Sequence, residues 1–498
     1  MSSRTWWQEA VFYEIYVRSF ADSDGDGVGD LAGIRERLPY LKELGVDALW
    51  LTPFYPSPGV DHGYDVSDYV DVDPQLGSLA DFDALVADAH ALGLKVTVDI
   101  VPNHTSDRHP WFRDHPEYYV WADEPNNWPS TFGGSAWTFD EARGRYYLHL
   151  FAPEQPDLDW HNPAVQEEFE RIIRFWLDRG VDGFRIDVAY ALFKDPELRD
   201  EEEPLPPMPA PPDWRRSIDL PELHPLYREW RRLADEYDGG RVLVGELTFL
   251  DPARVVPYLR PDELHLGFNF TILLAEWDAE QLHAAIDSSR AALAPADPTW
   301  VLENHDVTRL PTRYRGPRSA RAAALLLLAL PGPVFLYAGQ ELGLEEVHLP
   351  DDVRQDPVFF RTKGERKGRD GCRVPLPWEG EAPPFGFTTG EPWLPMPESW
   401  RTETVDEQER DPASFLSLYR GALAARPRGD AFAWRESPPG SLAFDRGEMI
   451  CVVNVDAPAV ELPQGELVLA SEPTVTTSLP PDTAAWIQTT KLRPKGTT

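Results

Sequence analysis

Three acidic residues and an arginine, each closing a short apolar run, carry the chemistry that this chain can do. In Gly183-Phe184-Arg185-Ile186-Asp187-Val188 a carboxylate follows a guanidinium by two residues, where an apolar segment runs out. Side chains two apart on a strand share a face, so a strand ending here delivers Arg185 and Asp187 to one mouth of a sheet. A single Arg-x-Asp is as often a structural ion pair as a functional one. Here it has company: Asp99-Ile100-Val101-Pro102-Asn103-His104 lies upstream, and Val244-Gly245-Glu246 and Glu303-Asn304-His305-Asp306 lie downstream, each after an apolar run. Carboxyls gathered in one place can divide nucleophilic or basic work from proton donation. His104 and His305, at matching strand ends beside acids, point to ligand contact. Neither belongs to an HExxH or Cys-cluster metal motif.

The elements that must position these groups alternate. Strand patterns over Val11–Val17, Val46–Phe54, Lys95–Val101, Val181–Val188, Arg241–Leu247, Glu263–Phe270, Trp300–Asn304 and Val334–Tyr337 are separated by amphipathic stretches. Leu31 to Leu44, ended by Gly45, and Leu79 to Leu92, ended by Gly93, have helical spacing with a C-terminal glycine. Strand–helix alternation of this kind predicts a closed parallel (β/α)₈ barrel, whose site forms at the C-terminal strand ends. Residues 104–160 are rich in Trp, Pro, Asn and His and too long for a simple loop, so a small inserted domain is expected there. The barrel then comprises residues 1–103 and 161–430, and short alternating runs in 431–498 predict an antiparallel C-terminal β-domain. Asp195 to Asp213, with Glu201-Glu202-Glu203 and a string of prolines, is low-complexity and reads as a mobile, solvated surface loop.

In their order along the chain the four acidic segments resemble the α-amylase superfamily, glycoside hydrolase family 13. The resemblance implies Asp187 as nucleophile, Glu246 as general acid/base and Asp306 as the acid that holds the sugar hydroxyls at positions 2 and 3. Arg185 is expected to keep Asp187 ionised. His104 and His305 would hydrogen-bond the sugar around the scissile linkage. Asp61 and Tyr64, in Asp61-His62-Gly63-Tyr64-Asp65-Val66, match the segment that closes the pocket of exo-acting members, and Arg373 of Arg369-Asp370-Gly371-Cys372-Arg373 resembles the arginine that pairs with that aspartate. Gln155-Pro156-Asp157-Leu158-Asp159 is close to the QPDLN marker of oligo-1,6-glucosidase-like members, with Asp159 in place of the final asparagine. Val188 after the nucleophile would point to α-1,6 linkages, whereas Ala189-Tyr190 departs from that context. The implied activity is a retaining exo-α-glucosidase acting on short oligosaccharides, with glucosyl transfer or isomerisation by the same scaffold as the alternative.

Asp22-Ser23-Asp24-Gly25-Asp26-Gly27-Val28-Gly29-Asp30 alternates carboxylates with glycine, which suits a structural Ca²⁺ or Mg²⁺ bound by Asp22, Asp24, Asp26, Asp30 and the carbonyl of Val28. The remaining composition restricts partners. A net charge of -37 over 498 residues repels phosphate backbones and anionic membranes, and leaves neutral sugars unaffected. Cys372 and Cys451 are the only cysteines, and Met1 to Trp7 shows no apolar signal core, so a cytoplasmic monomer or homodimer is expected. The longest apolar run, Ala322 to Ala338, is broken by Pro331-Gly332-Pro333 and reads as buried helix, turn and strand.

Overall fold

The computed structural model describes residues 5–202 and 216–489. Strands β1 (Val11–Ile15), β2 (Ala48–Leu51) and β3 (Lys95–Ile100) are followed by a separate antiparallel sheet of β4 (Trp121–Ala122), β5 (Trp137–Asp140) and β6 (Arg145–Leu148). The parallel ladder resumes with β7 (Gly183–Ile186), β8 (Val242–Gly245), β9 (Leu266–Gly267), β10 (Trp300–Val301) and β11 (Val334–Tyr337). Its hydrogen-bonded order is β10-β11-β1-β2-β3-β7-β8-β9. A parallel bridge between Phe268 and Thr299 joins the two ends, so the eight strands form a closed (β/α)₈ barrel. Strand β11 has the bounds of its apolar run, and the other seven are shorter than theirs. In those seven the C-terminal residues of the run leave the ladder and turn into loops, among them those that carry the acidic groups.

Alternation sorts the barrel side chains. Phe12, Trp50, Val244, Phe268 and Phe335 form the inner core, with Phe12 and Phe335 stacked at 4.4 Å. Tyr13, Leu49, Val98, Phe184 and Leu336 point outward into the core shared with the helices. The inward parity of β1, β3 and β7 therefore runs through Glu14, Asp99 and Arg185 at the upper end, and these polar groups are as buried as the aromatics below them.

The stretch from Leu31 to Leu44 is two helices, Leu31–Glu36 and Leu38–Leu44, divided at Arg37. Pro39 has no N–H to donate and sits in the first turn of the second helix, which explains the break. Gly45 ends it at φ 98°, a left-handed conformation that glycine adopts freely. Helix Pro317–Ala329 is buried on all sides from Ser319 onward. One side faces the barrel and the other a five-stranded antiparallel sheet, β12 (Ala433–Trp434), β13 (Ser441–Arg446), β14 (Met449–Asn454), β16 (Glu466–Ala470) and β18 (Thr483–Gln488); β15 (Val460–Glu461) and β17 (Ser478–Leu479) pair separately. Trp486 donates to the Leu325 carbonyl at 3.0 Å, tying that sheet to the helix. Among the described residues no helix is long and apolar enough to cross a membrane.

Most of the Pro/Glu-rich segment expected as a mobile loop, residues 203–215, lies outside the described residues. Its start is anchored, not free: Asn127 Nδ2 and the Trp128 indole donate to the carbonyls of Glu201 and Arg199, at 2.9 and 3.0 Å.

Gly183 opens the strand that carries Arg185 and Asp187, and a Cβ there would lie 2.1 Å from the Val242 carbonyl oxygen. Gly183→Ala should therefore force β7 and β8 apart. Overpacking of this kind costs about 1–3 kcal/mol, so a lowered melting temperature with a larger proportional loss of activity is expected. Calorimetry and a rate assay on the same preparation check both.

Candidate active site

Asp187 follows β7 and Glu246 follows β8 by one residue. Each is pinned through its backbone: Asp187 N–H donates to Ile100 O at 2.9 Å and Glu246 N–H to Ile186 O at 3.0 Å. Arg185 lies beneath them. Its Nη1 donates to Asp99 Oδ1 (3.0 Å) and Asp187 Oδ1 (2.6 Å), and its Nη2 pairs with Glu246 Oε2 at 2.8 Å. The guanidinium stacks over Trp50 at 5.1 Å, and the Trp50 indole N–H donates to Asp99 Oδ2.

This sharing corrects two expectations. Arg185 does not line the cavity; it is 1% exposed and acts from below. Nor does it hold Asp187 below the ordinary carboxylate range. Burial pushes the Asp187 carboxyl up, Arg185 opposes, and Glu246 and Asp99 add to the rise. One guanidinium serves three carboxyls, so none receives its full effect. Asp99 is itself pushed up to about 7 by burial despite the same arginine.

Val188 stands at φ 47°, an outlier for a β-branched residue. That conformation aims its backbone N–H at Glu246 Oε2, 2.9 Å away. Two donors thus converge on one oxygen of Glu246, and its Oε1 is left for a proton. Strain held next to reacting groups is a feature of functional sites.

A second arginine centre closes the far end. Arg369, not Arg373, pairs with Asp61: Nη2 donates to Asp61 Oδ1 at 2.7 Å, Nη1 to Asp306 Oδ1 at 3.1 Å and Nε to Asp356 Oδ2 at 2.7 Å. Arg373 is fully buried behind, with Nη2 on Asp306 Oδ1 (2.9 Å) and Nε on the His305 carbonyl (2.9 Å). A single 3₁₀ turn, Asp370–Cys372, separates the two arginines and points them to different sides of the same loop. Against the cost of burial, the guanidiniums of Arg369, Arg373 and Arg185 hold Asp306 below the usual carboxylate range. Burial raises Asp61 to about 6, with Arg369 and Arg373 opposing.

Tyr64 OH lies 2.9 Å from His305 Nε2 and 3.1 Å from Asp99 Oδ2. His104 Nε2 lies 3.1 Å from Gln155 Nε2, which also reaches Asp61 at 3.3 Å. Burial keeps both histidines neutral, His305 at about 3 and His104 at about 4. A cavity of about 480 Å³ is walled by Asp61, Tyr64, His104, Asp187, Glu246, His305, Asp306 and Arg369, with Phe132, Phe151 and Phe270 among its apolar surfaces. That size suits a small ligand.

Several of these residues are not evident as site residues from the sequence. Arg369 and Gln155 sit inside segments that draw attention for other members, and Glu14 is a lone acid at an inward position of β1. Outside the cavity, Asp22, Asp24 and Asp30 each bring one carboxylate oxygen within 4.8 Å of the others. Asp26 is not one of that trio; its oxygens accept from the Val28 N–H (2.8 Å) and Gln75 Nε2 (3.0 Å).

Residues 14–434 match the model of the alpha amylase catalytic domain. The chain belongs to this family. It is a glycoside hydrolase. A probable alpha-glucosidase of Rhizobium meliloti is 41% identical, over 93% of this chain and 92% of that protein. An oligo-1,6-glucosidase of Parageobacillus thermoglucosidasius is 37% identical over 86% and 85%. Among solved structures, the alpha-glucosyl transfer enzyme XgtA superposes with a TM-score of 0.89 at 38% identity, covering 98% of this chain and 100% of that one. The trehalulose synthase MutB from Pseudomonas mesoacidophila gives 0.87 at 31% identity, over 98% and 100%.

For this glycoside hydrolase, Arg369→Ala should leave Asp61 and Asp356 as buried acids without their common cation, a change of about 3–5 kcal/mol for a broken buried pair. Asp61 should then ionise only above its present value of about 6. KM for an aryl glycoside should rise strongly, and the pH below which KM worsens should move upward relative to wild type. An unchanged KM–pH profile would show that Asp61 does not depend on Arg369.

Proposed function

We propose that this chain is a retaining, exo-acting α-glucosidase that releases glucose from the non-reducing end of short α-glucosides. One observation carries the exo reading: the Asp61–Arg369–Asp356 ion pairs close one end of the cavity. A polysaccharide continuing past the terminal sugar would have to separate them. The names of the alpha-glucosidase and oligo-1,6-glucosidase relatives support the glucosyl specificity.

The proposed reaction is double displacement. Arg185 occupies Asp187 Oδ1, so Asp187 Oδ2 attacks the anomeric carbon. The glycosidic C–O bond breaks as Glu246 Oε1 gives its proton to the departing oxygen. Glu246, now a carboxylate, takes a proton from water; the water oxygen bonds to the anomeric carbon and Asp187 departs, restoring both carboxyls. Both are held by nitrogens of one guanidinium, which suits the short separation, roughly 5 Å, of retaining enzymes. Asp306, kept ionised by two arginines, is placed to hold sugar hydroxyls.

Asp187→Asn should lose several orders of magnitude in rate while melting like wild type. Glu246→Gln should lose far more on maltose than on a nitrophenyl glucoside, whose leaving group needs little protonation. Early products from maltotriose should be glucose and maltose, with the α-anomer of glucose first by proton NMR, and starch should be a poor substrate. Rapid loss of iodine staining with no glucose released would identify an endo-acting amylase instead.

The Asp22–Asp30 loop is proposed to bind Ca²⁺ or Mg²⁺ through Asp22, Asp24 and Asp30, with the Val28 carbonyl available. The clustering of three carboxylate oxygens supports this donor set. The loop packs on the segment that carries Trp393, whose N–H donates to Gly27 O at 2.9 Å, so the ion would stabilise rather than react. Chelator should lower the melting temperature, and Asp24→Ala should abolish that response. Immediate loss of activity at unchanged melting would refute the structural role. A cytoplasmic location is proposed from the two cysteines, both buried and unpaired.

A further inference from the structure

Glu14 lies outside the cavity wall, yet it is the last member of a hydrogen-bonded chain that ends on the nucleophile. It sits on the inward face of β1, 1% exposed, with Oε1 bonded to His305 Nδ1. On the other side of the ring, His305 Nε2 lies 2.9 Å from Tyr64 OH and 3.5 Å from Asp306 Oδ2. Tyr64 OH lies 3.1 Å from Asp99 Oδ2, and Asp99 accepts from Arg185 Nη1, which also binds Asp187.

With the imidazole neutral, as burial keeps it, and Asp99 ionised against Arg185, one assignment of hydrogens satisfies every link. Asp99 already accepts from Arg185 and Trp50, and at its Oδ2 it needs the Tyr64 hydroxyl to donate. Tyr64 has one hydrogen, so toward His305 its oxygen accepts and Nε2 must carry the proton. The nearby Asp306 oxygen, also an acceptor, demands the same. A neutral imidazole has one N–H, so Nδ1 is then a bare lone pair, and Glu14 must donate to it. The reverse assignment, with Glu14 accepting, sets Tyr64 oxygen against Asp99 oxygen and the Nε2 lone pair against Asp306.

We infer that Glu14 is a positioning residue: as a buried carboxylic acid it donates to His305 Nδ1 and so fixes the imidazole in the Nε2–H tautomer, with that N–H shared between the Tyr64 hydroxyl and the cavity beside Asp306. Which ring nitrogen of a histidine is protonated is set by the partner of the other. The state of Glu14 agrees with this role. Burial pushes its carboxyl well above the ordinary range, Arg185 opposes, and Asp306 and Asp99 reinforce the rise. Without the donor, His305 could take the other tautomer and present a lone pair to the sugar hydroxyl that Asp306 also accepts from. That hydroxyl has a single hydrogen, so one contact would be lost.

The inference rests on the glycosidase reading only for its effect on rate; the tautomer can be read without substrate. Selective ¹⁵N labelling of histidine, with His305→Asn to assign the resonance, should show a protonated Nε2 and an unprotonated Nδ1 in the wild type. Glu14→Gln, whose amide can donate in the same place, should keep that pattern and keep kcat within about threefold. Glu14→Met should lose the pattern and lower kcat by on the order of 10–100-fold, by analogy with groups that orient metal-bound histidines, with a smaller change in KM. A wild-type His305 protonated at Nδ1 overturns the proposal even if no variant folds. So does a folded Glu14→Met enzyme with an unchanged His305 spectrum. A correct spectrum with no glucosidase activity would instead fault the functional reading and leave the tautomer assignment standing.

Discussion

A guanidinium buried at the top of a barrel, with three carboxyls around it, is the constraint to which the rest of this site conforms. Taking Arg185 out of water costs several kcal/mol, and that cost is offset only if the acids meet it with good geometry. The geometry comes from the ladder. Asp99 and Arg185 are paired residues of β3 and β7 in the sheet register, and Arg185 is in turn level with Val244 of β8, two residues before Glu246. Inward parity then delivers Asp99 and Arg185 to one level and Asp187 and Glu246 to the level above it. A slip of one residue in either pairing would turn the acids into the outer helical layer. The aromatic floor of Trp50, Phe268 and Phe335 keeps water from screening the cluster from below.

The second arginine centre works on the same principle with a different result. Around Arg185 one guanidinium is divided among three carboxyls, and burial pushes those of Asp99 and Asp187 up. Around Arg369 and Arg373 two cations face Asp306, and Asp306 stays ionised. Buried carboxyls of one site are thus shifted in opposite directions, Asp187 up and Asp306 down, by how many guanidiniums each shares. Because these charges are fixed before substrate arrives, no reorganisation is needed when charge develops on the sugar ring.

What the sequence made legible follows from what a strand pattern can encode. Asp187, Glu246 and Asp306 each follow an apolar run, and a barrel brings such ends together, so the wall they form with His104 and His305 could be read without coordinates. The choice between Arg369 and Arg373 could not, because one 3₁₀ turn of three residues decides which side of the loop each guanidinium faces. The state of Asp187 was misjudged for a related reason. Its neighbour two positions away is visible in sequence, but the division of that neighbour's charge with Asp99 and Glu246, and the depth of burial, are long-range facts. Asp26 differs from Asp22 and Asp24 by its engagement with Gln75, from a loop 49 residues away. Glu14 did leave a signal, an acid at an inward-facing position of a fully buried strand, which seldom persists without a partner.

The likeness to transfer and isomerising enzymes as well as to hydrolases has a physical source in the same arrangement. The covalent step needs only Asp187, Glu246 and the groups toward the closed end that bind the terminal sugar. What resolves the intermediate meets the rest of the lining, which includes the apolar Phe270, Leu274 and Val307 and the basic Arg366 and Lys367. An apolar wall gives a sugar ring a face to pack on and gives water little to bind. Phe270, Leu274 and Val307 take no part in the first displacement, so the lining that an acceptor meets can differ between relatives while the carboxyl cluster and its buried guanidinium stay the same.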